Sequence, residues 1–219
     1  MDEFFRWQWV LDHLEEIRIQ GVEHLQLTFL AVAIGLAIAF PLSIYAYRHE
    51  WFYGPLTVVT GILYTIPSLA LFALLTPFTG LSFTTAEIAL VGYTLLILIR
   101  NIVAGLTGVP DDVREAATGM GYSRRQLLWR VEIPLALPVI AAGIRIATVT
   151  TIGLVTVTAL IGQGGFGYFI LLGLSRFFST ATVLGAGLSI ALAIIVDRLL
   201  LMLERHLSPW ASSLGPHRA

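Results

Sequence analysis

The sequence predicts an all-α integral membrane protein with about five transmembrane helices, an N-terminal interfacial helix and a short re-entrant or interfacial segment. Three observations carry this. Of its 219 residues 57% are hydrophobic and 12% charged, about half the roughly 25% charged that a soluble domain carries, and mean hydropathy is +0.83. Apolar stretches long enough to cross a hydrocarbon core of ~30 Å at ~1.5 Å per helical residue recur along the chain. Between them lies one long polar stretch, Asp111 to Pro134, in which Asp111, Asp112, Glu115 and Glu132 face Arg114, Arg124, Arg125 and Arg130 in equal number.

Residues 1–24 come first as an amphipathic segment. Trp7, Val10, Leu11, Leu14 and Ile17 recur near helical spacing against Asp12, Glu15, Glu16 and Arg18, so one face is apolar and the indoles of Trp7 and Trp9 suit the headgroup level. The membrane part is expected over 25–207. Its first span, Leu25 to Tyr47, is closed by Arg48, His49 and Glu50, with Pro41 placed to kink it. The second runs from about Pro55 to Pro77 with Pro67 at its centre. That proline removes a helical hydrogen bond and frees a carbonyl, which Thr65 or Ser68 is placed to satisfy.

Glu87 to Leu106 is the third span, with Arg100 and Asn101 near its end, and Leu137 to Ile161 the fourth, with Arg145 in its first third. Gly162 to Ser175 is too short to cross and reads as re-entrant or interfacial. The fifth span, Thr180 to Leu203, is closed by Asp197, Arg198, Glu204 and Arg205, and residues 208–219, with Pro209, Gly215 and Pro216, form a loosely ordered tail. Counted on alternate sides, Arg48, Arg114, Arg124, Arg125, Arg130, Arg198, Arg205 and Arg218 share one face and Arg6, Arg18 and Arg176 the other. The arginine-rich face is cytoplasmic by the positive-inside rule, which puts the polar stretch and the C-terminus inside and the N-terminus outside.

Several function classes fall away. A net charge of −1 gives no basic field for nucleic acid. No cysteine is present, so disulfides and thiolate metal sites are excluded, and His13, His24, His49, His206 and His217 lie scattered at ends and loops without metal-ligand spacing. The first residues are acidic and amphipathic, unlike a signal peptide. Gly162, Gly164 and Gly167 satisfy a literal G-x-G-x-x-G, but an apolar span precedes it and the next acid is Asp197, so a dinucleotide site is rejected in favour of a tight turn that leads into the re-entrant segment and lines a gate. Among intramembrane ions, Arg100 and Arg145 are expected to snorkel or face protein, and one of them to pair with Asp197 at an inner gate.

Within the polar stretch, Pro110 and the acids Asp111 and Asp112 start a helix that Gly121 is placed to end, and Ser123 caps a second one running to Pro134. Glu115-Ala116-Ala117, three residues, Gly121, nine residues and then Val131-Glu132-Ile133-Pro134 resemble the EAA loop of ABC-importer permeases, with Val131 and Ile133 departing conservatively from the usual I-x-L-P ending. Further stretches, Tyr64-Thr65-Ile66-Pro67-Ser68-Leu69-Ala70, Ile99-Arg100-Asn101, Ala142-Gly143-Ile144-Arg145 and Ile161-Gly162-Gln163-Gly164-Gly165-Phe166-Gly167, resemble the permeases for glycine betaine, choline and carnitine. Methionine-type importers share some of these segments.

The resemblance implies a type I ABC importer permease fold and a transport subunit rather than an enzyme. It implies a cytoplasmic coupling helix within residues 110–136, with Glu115, Ala116, Ala117, Gly121, Arg124, Arg125 and Pro134 as its ATPase-coupling residues. No G-x-x-x-x-G-K-[ST] and no lysine occur, so no cofactor is expected in this chain, and ATP and Mg are left to a partner ATPase. The implied partners are two ATPase subunits, a second permease subunit, identical or homologous, an extracytoplasmic substrate-binding protein and the lipid bilayer of a bacterial inner membrane. Pathway or gate candidates are Tyr64, Pro67, Ser68, Phe72, Tyr93, Arg145, Gly164, Gly165 and Asp197. The three aromatics are suited to cation–π contact with a quaternary ammonium but also to core packing. An ATP-independent carrier is the alternative from another class, and it lacks the internal repeats such carriers show.

Overall fold

The computed structural model describes residues 5–210, and these fold into helices with no strand among them. A short helix α1 (Trp7–Asp12) is followed by α2 (Leu14–Arg48), α3 (Glu50–Thr65), α4 (Ser68–Thr79) and α5 (Phe83–Thr107). The polar stretch forms α6 (Asp111–Gly119) and α7 (Arg124–Leu127), and a π-helical turn, Leu128–Glu132, leads from α7 into α8 (Ile133–Thr158). The glycine-rich loop then leads to α9 (Gly167–Ser175) and α10 (Ser179–Leu207).

Four helical runs are long and apolar enough to cross a membrane: Leu14–Arg48, Phe83–Thr107, Arg124–Ile161 and Ser179–Leu207. A fifth crossing exists if α3 and α4 count as one broken span. The sequence predicts a single kinked helix there, whereas α3 and α4 meet at 95°. Ile66 is extended (φ −64°, ψ 127°) and so is Pro67 (ψ 133°), because a proline ring pushes the residue before it out of the helical region. The Leu63 carbonyl, which Pro67 cannot serve, accepts from the Ile66 amide at 3.4 Å, and the Ile66 carbonyl, opened by the break, accepts from the Tyr93 hydroxyl at 2.6 Å; Thr65 donates to Ile62 within its own helix.

Other boundaries also differ. The first helical break falls at His13, so Leu14 to Glu23 continue the first long helix instead of forming part of a separate interfacial one. The third span starts at Phe83, four residues before Glu87, since the Ser82 hydroxyl accepts from the Thr85 amide and caps it. Pro134 does not stop the helix before it. Its ring would clash with the carbonyl of Arg130, and the π turn, in which Ile133 N–H donates to Leu128, opens the helix at that place. The expected tail lies outside the described residues beyond 210, as do residues 1–4.

Helices α2, α5 and α8 pack as the central layer. One core cluster joins Leu27, Ala31, Phe72, Leu90 and Val155, and a second joins Ala39, Leu98, Ile102, Leu128 and Ile140. Small residues let the helices approach, as in membrane bundles generally: a Cβ on Gly143 of α8 would overlap the Asn101 side chain of α5, and one on Gly35 would overlap Thr94. The two ends of the bundle are fixed by α2, whose Tyr47 bonds Glu132 beside the polar loop and whose His24 bonds Phe166 in the glycine-rich loop.

Candidate functional site

At one end, α6 and α7 form a compact protrusion. Gly121 adopts φ +83°, and the Tyr122 amide donates to Ala117 and the Gly121 amide to Thr118, which is a Schellman ending with glycine in the left-handed position. Ser123 then opens α7 through a capping box: its hydroxyl accepts from the Gln126 amide, and the Gln126 side chain accepts from the Ser123 amide. Glu115, Ala116, Gly121, Arg124 and Arg125 are exposed on this protrusion. Ala117, between them, is 2% exposed. It faces its own chain, where a small side chain lets α6 lie close against α7 and the π turn. Pro134 is half-buried behind the π turn and bounds the loop without touching the protrusion's outer face.

What holds the protrusion was not visible in the sequence. Arg114 donates through Nε to Glu132 Oε1 (3.2 Å) and through a terminal nitrogen to the Leu106 carbonyl (2.7 Å), and it also pairs with Asp111. Glu132, 5% exposed, accepts in addition from the Tyr47 hydroxyl at 2.6 Å. One guanidinium therefore ties α6 to the end of α5, to the start of α8 and, through Glu132, to the end of α2. Equal numbers of acids and arginines do not say which of them pair. Tyr47, eighty-five residues away from Glu132, gave no local signal.

Toward the same end, Arg145 on α8 donates to Asp197 (2.8 Å and 3.1 Å) and to Glu204 (3.2 Å) on α10. The expected Arg145–Asp197 pair is present, and Glu204 joins it. This cluster borders a cleft of about 600 Å³ between the two helices, with Ala142, Ile146 and Val149 along its wall. Arg100 lies exposed. The other pathway candidates separate. Tyr64 is 38% exposed and Pro67 is exposed, with Ser68 half-buried, whereas Phe72 is 0% exposed within the core and Tyr93 is committed to the Ile66 carbonyl. Neither Phe72 nor Tyr93 presents a free aromatic face in this conformation.

At the opposite end, glycines make room for side chains of α2 and for the backbone of α8. A Cβ on Gly164 would overlap the Glu23 carboxylate, and a Cβ on Gly167 would overlap the Thr156 carbonyl. Gly165 (φ +92°) packs on the His24 ring. His24 is wholly buried, its Nε2 lying 3.0 Å from the Ile152 carbonyl and its Nδ1 accepting from the Phe166 amide at 3.1 Å. That geometry assigns the proton to Nε2. The expectation that all histidines lie at ends and loops is corrected here: His24 clamps the glycine-rich loop to α2 and α8.

Residues 31–209 match the family described as "Binding-protein-dependent transport system inner membrane component". The chain belongs to that family. Relatives of this inner membrane component include the osmoprotectant import permease protein OsmW of Salmonella typhimurium, 38% identical over 206 residues that make up 92% of this chain and 96% of the relative. The choline transport system permease protein OpuBB of Bacillus subtilis is 35% identical, with 89% of each chain covered. The carnitine transport permease protein OpuCB of Listeria monocytogenes is 38% identical, with 88% of each covered. Among solved structures, the inward-facing MetNI methionine ABC transporter superposes with a TM-score of 0.79 at 22% identity, over 87% of this chain and 96% of that one. An amino acid ABC transporter with histidines gives 0.76 at 18%, over 92% and 98%. The fold of the inner membrane component is thus that of the type I ABC importer permeases.

Proposed function

We propose that this permease lines, together with a second permease subunit, the translocation pathway of an importer for a quaternary-ammonium osmoprotectant such as choline, glycine betaine or carnitine. Two copies of a separate ATPase bind ATP and Mg and dock on the α6–α7 protrusion, and an extracytoplasmic binding protein delivers substrate at the glycine-rich end. The observation that carries the reading is the protrusion itself. It is a rigid, doubly capped knob, exposed on its outer face, and Arg114 and Glu132 tie it to three membrane helices. A push on the knob moves α2, α5 and α8 together, so ATP-driven closure of the partners shifts the bundle between inward- and outward-open states.

The excess of arginines on the protrusion side supports a cytoplasmic loop and C-terminus, with the N-terminus outside. Relatives named for choline, carnitine and osmoprotectants at 35–38% identity support the substrate class. The methionine transporter's likeness, at 22%, concerns fold. The chain has no cysteine, which gives a clean test. Glu115→Cys should cross-link to the ATPase subunit in the assembled complex, while Ala117→Cys, buried, should not. Absence of any cross-link from Glu115→Cys and Arg124→Cys alike would remove the docking assignment. Uptake of choline, glycine betaine, carnitine and methionine by the complete system decides the substrate, with methionine alone transported as the contrary result.

A further inference from the structure

Between α2, the start of α5 and the glycine-rich loop lies a cavity of about 490 Å³, within the ~300–1,000 Å³ usual for small-molecule sites. It sits at the end of the bundle opposite the protrusion. Its wall carries Gln20, Glu23, Gln26 and Gln163 together with the rings of Phe83 and Tyr168. Such a polar lining is unusual beside helices this apolar: Gln20, Glu23 and Gln163 are half-buried and Gln26 is exposed.

Two oxygens converge there. A Cβ on Gly164 would overlap Glu23 Oε2 and come within 2.9 Å of Gln20 Oε1, so the glycine exists to let both approach one place. Gln20 Oε1 is shielded from solvent and accepts no hydrogen bond among the described residues. No described arginine or histidine lies within ion-pairing distance of Glu23; the neighbouring acid Glu15 has Arg18, and Glu23 has no such partner. One turn along α5 from Phe83, Glu87 is 7% exposed, and neither of its oxygens has a partner among the described residues. A cavity whose lining holds a carboxylate and no arginine or histidine, walled by two aromatic rings, is complementary to an organic cation: the carboxylate supplies the counter-charge and the rings supply π faces.

We infer that this cavity is a binding vestibule for the quaternary ammonium group of a ligand, with Glu23 as counter-ion and Tyr168 and Phe83 as the ring faces. The glutamine amides meet the hydroxyl or carboxylate at the ligand's other end. Carboxylate plus aromatic rings favours a net cation over a zwitterion, so choline binds more tightly here than glycine betaine. The site deepens the functional reading above and rests on it, since it places a holding point for the substrate where the binding protein releases it, ahead of the pathway proper. Quaternary ammonium can also arrive as a lipid headgroup, and the test separates the two sources.

The assembled permease–ATPase complex is placed in nanodiscs whose lipids lack choline headgroups, and binding of radiolabelled choline is measured. Saturable binding that tetramethylammonium displaces is expected, weakened about tenfold in Glu23→Gln and several-fold in Tyr168→Leu, with Glu23→Asp retaining part of it. Tyr168 is 36% exposed, so its variant assembles and carries the test should Glu23→Gln fail to fold. Choline affinity equal in wild type and both variants overturns the site. In discs containing phosphatidylcholine, retained choline binding assigns the site to the free solute, and loss assigns it to the headgroup. ATP-driven choline uptake on the same preparations keeps the two claims apart. Uptake with unchanged affinity in the variants overturns the vestibule alone, and no uptake of any quaternary ammonium removes the functional reading itself.

Discussion

Gly121 and Gly167 show two different reasons for a glycine, and they predict different outcomes on substitution. At Gly121 the backbone is left-handed and a Cβ would meet nothing within 4 Å, so only conformation is at stake. A β-branched residue there costs about 1–2 kcal/mol, whereas asparagine tolerates the left-handed region. Gly121→Val should therefore lower the number of substrate molecules taken up per ATP hydrolysed, and Gly121→Asn should retain most of it. Equal coupling in both would contradict the role of the Schellman ending. At Gly167 the obstacle is backbone, the Thr156 carbonyl, which cannot swing aside. Gly167→Ala should cost about 1–3 kcal/mol as an overpacked contact, read as a lowered melting temperature of the purified complex. Gly187→Ala on α10 meets nothing within 4 Å and should leave that temperature unchanged or raise it, alanine being the better helix former.

At the scale of elements, the joint beneath the protrusion is the feature to break. Arg114→Gln leaves the buried Glu132 carboxylate without its cation, a change of about 3–5 kcal/mol in comparable buried pairs, while Tyr47→Phe removes one hydrogen bond to the same carboxylate and costs about 1–3 kcal/mol. The expected result is that Tyr47→Phe assembles and hydrolyses ATP but transports less per turnover, and that Arg114→Lys does not restore Arg114 function, because an ammonium cannot reach Leu106, Asp111 and Glu132 together. Full coupling in Tyr47→Phe would show that the joint transmits nothing. Local signals on this element were legible: the acids at the start of α6, Gly121 at its turn and Ser123 at the next cap are all short-range chemistry. Pro134 was misread as a stop because proline reports only a lost N–H and a ring clash. Sequence does not show that a π turn relieves both. The Tyr47–Glu132–Arg114 joint was illegible because it is assembled by three distant segments meeting at one end of the bundle.

For the whole molecule, hydropathy located the spans to within a few residues at most ends, since a bilayer demands long apolar helices. It did not reveal the right-angled break at Ile66 and Pro67, which depends on Tyr93 supplying the missing hydrogen bond from another helix. Nor did it reveal His24, buried by tertiary packing in a stretch that reads as amphipathic. The Arg145 cluster links α8 to α10 near the protrusion, and two acids share one arginine. Asp197→Asn and Glu204→Gln should consequently be non-additive in a double-mutant cycle of thermal stability, with a coupling of about 0.5 kcal/mol or more. Strict additivity would mean that Arg145 serves only one of them. The central claim is that this bundle moves substrate only when a partner ATPase works against the α6–α7 protrusion. The most direct measurement is choline uptake into vesicles containing the purified permease and binding protein, with and without the ATPase and ATP. Uptake that requires both is the predicted result, and uptake of equal rate with the ATPase omitted would contradict the account.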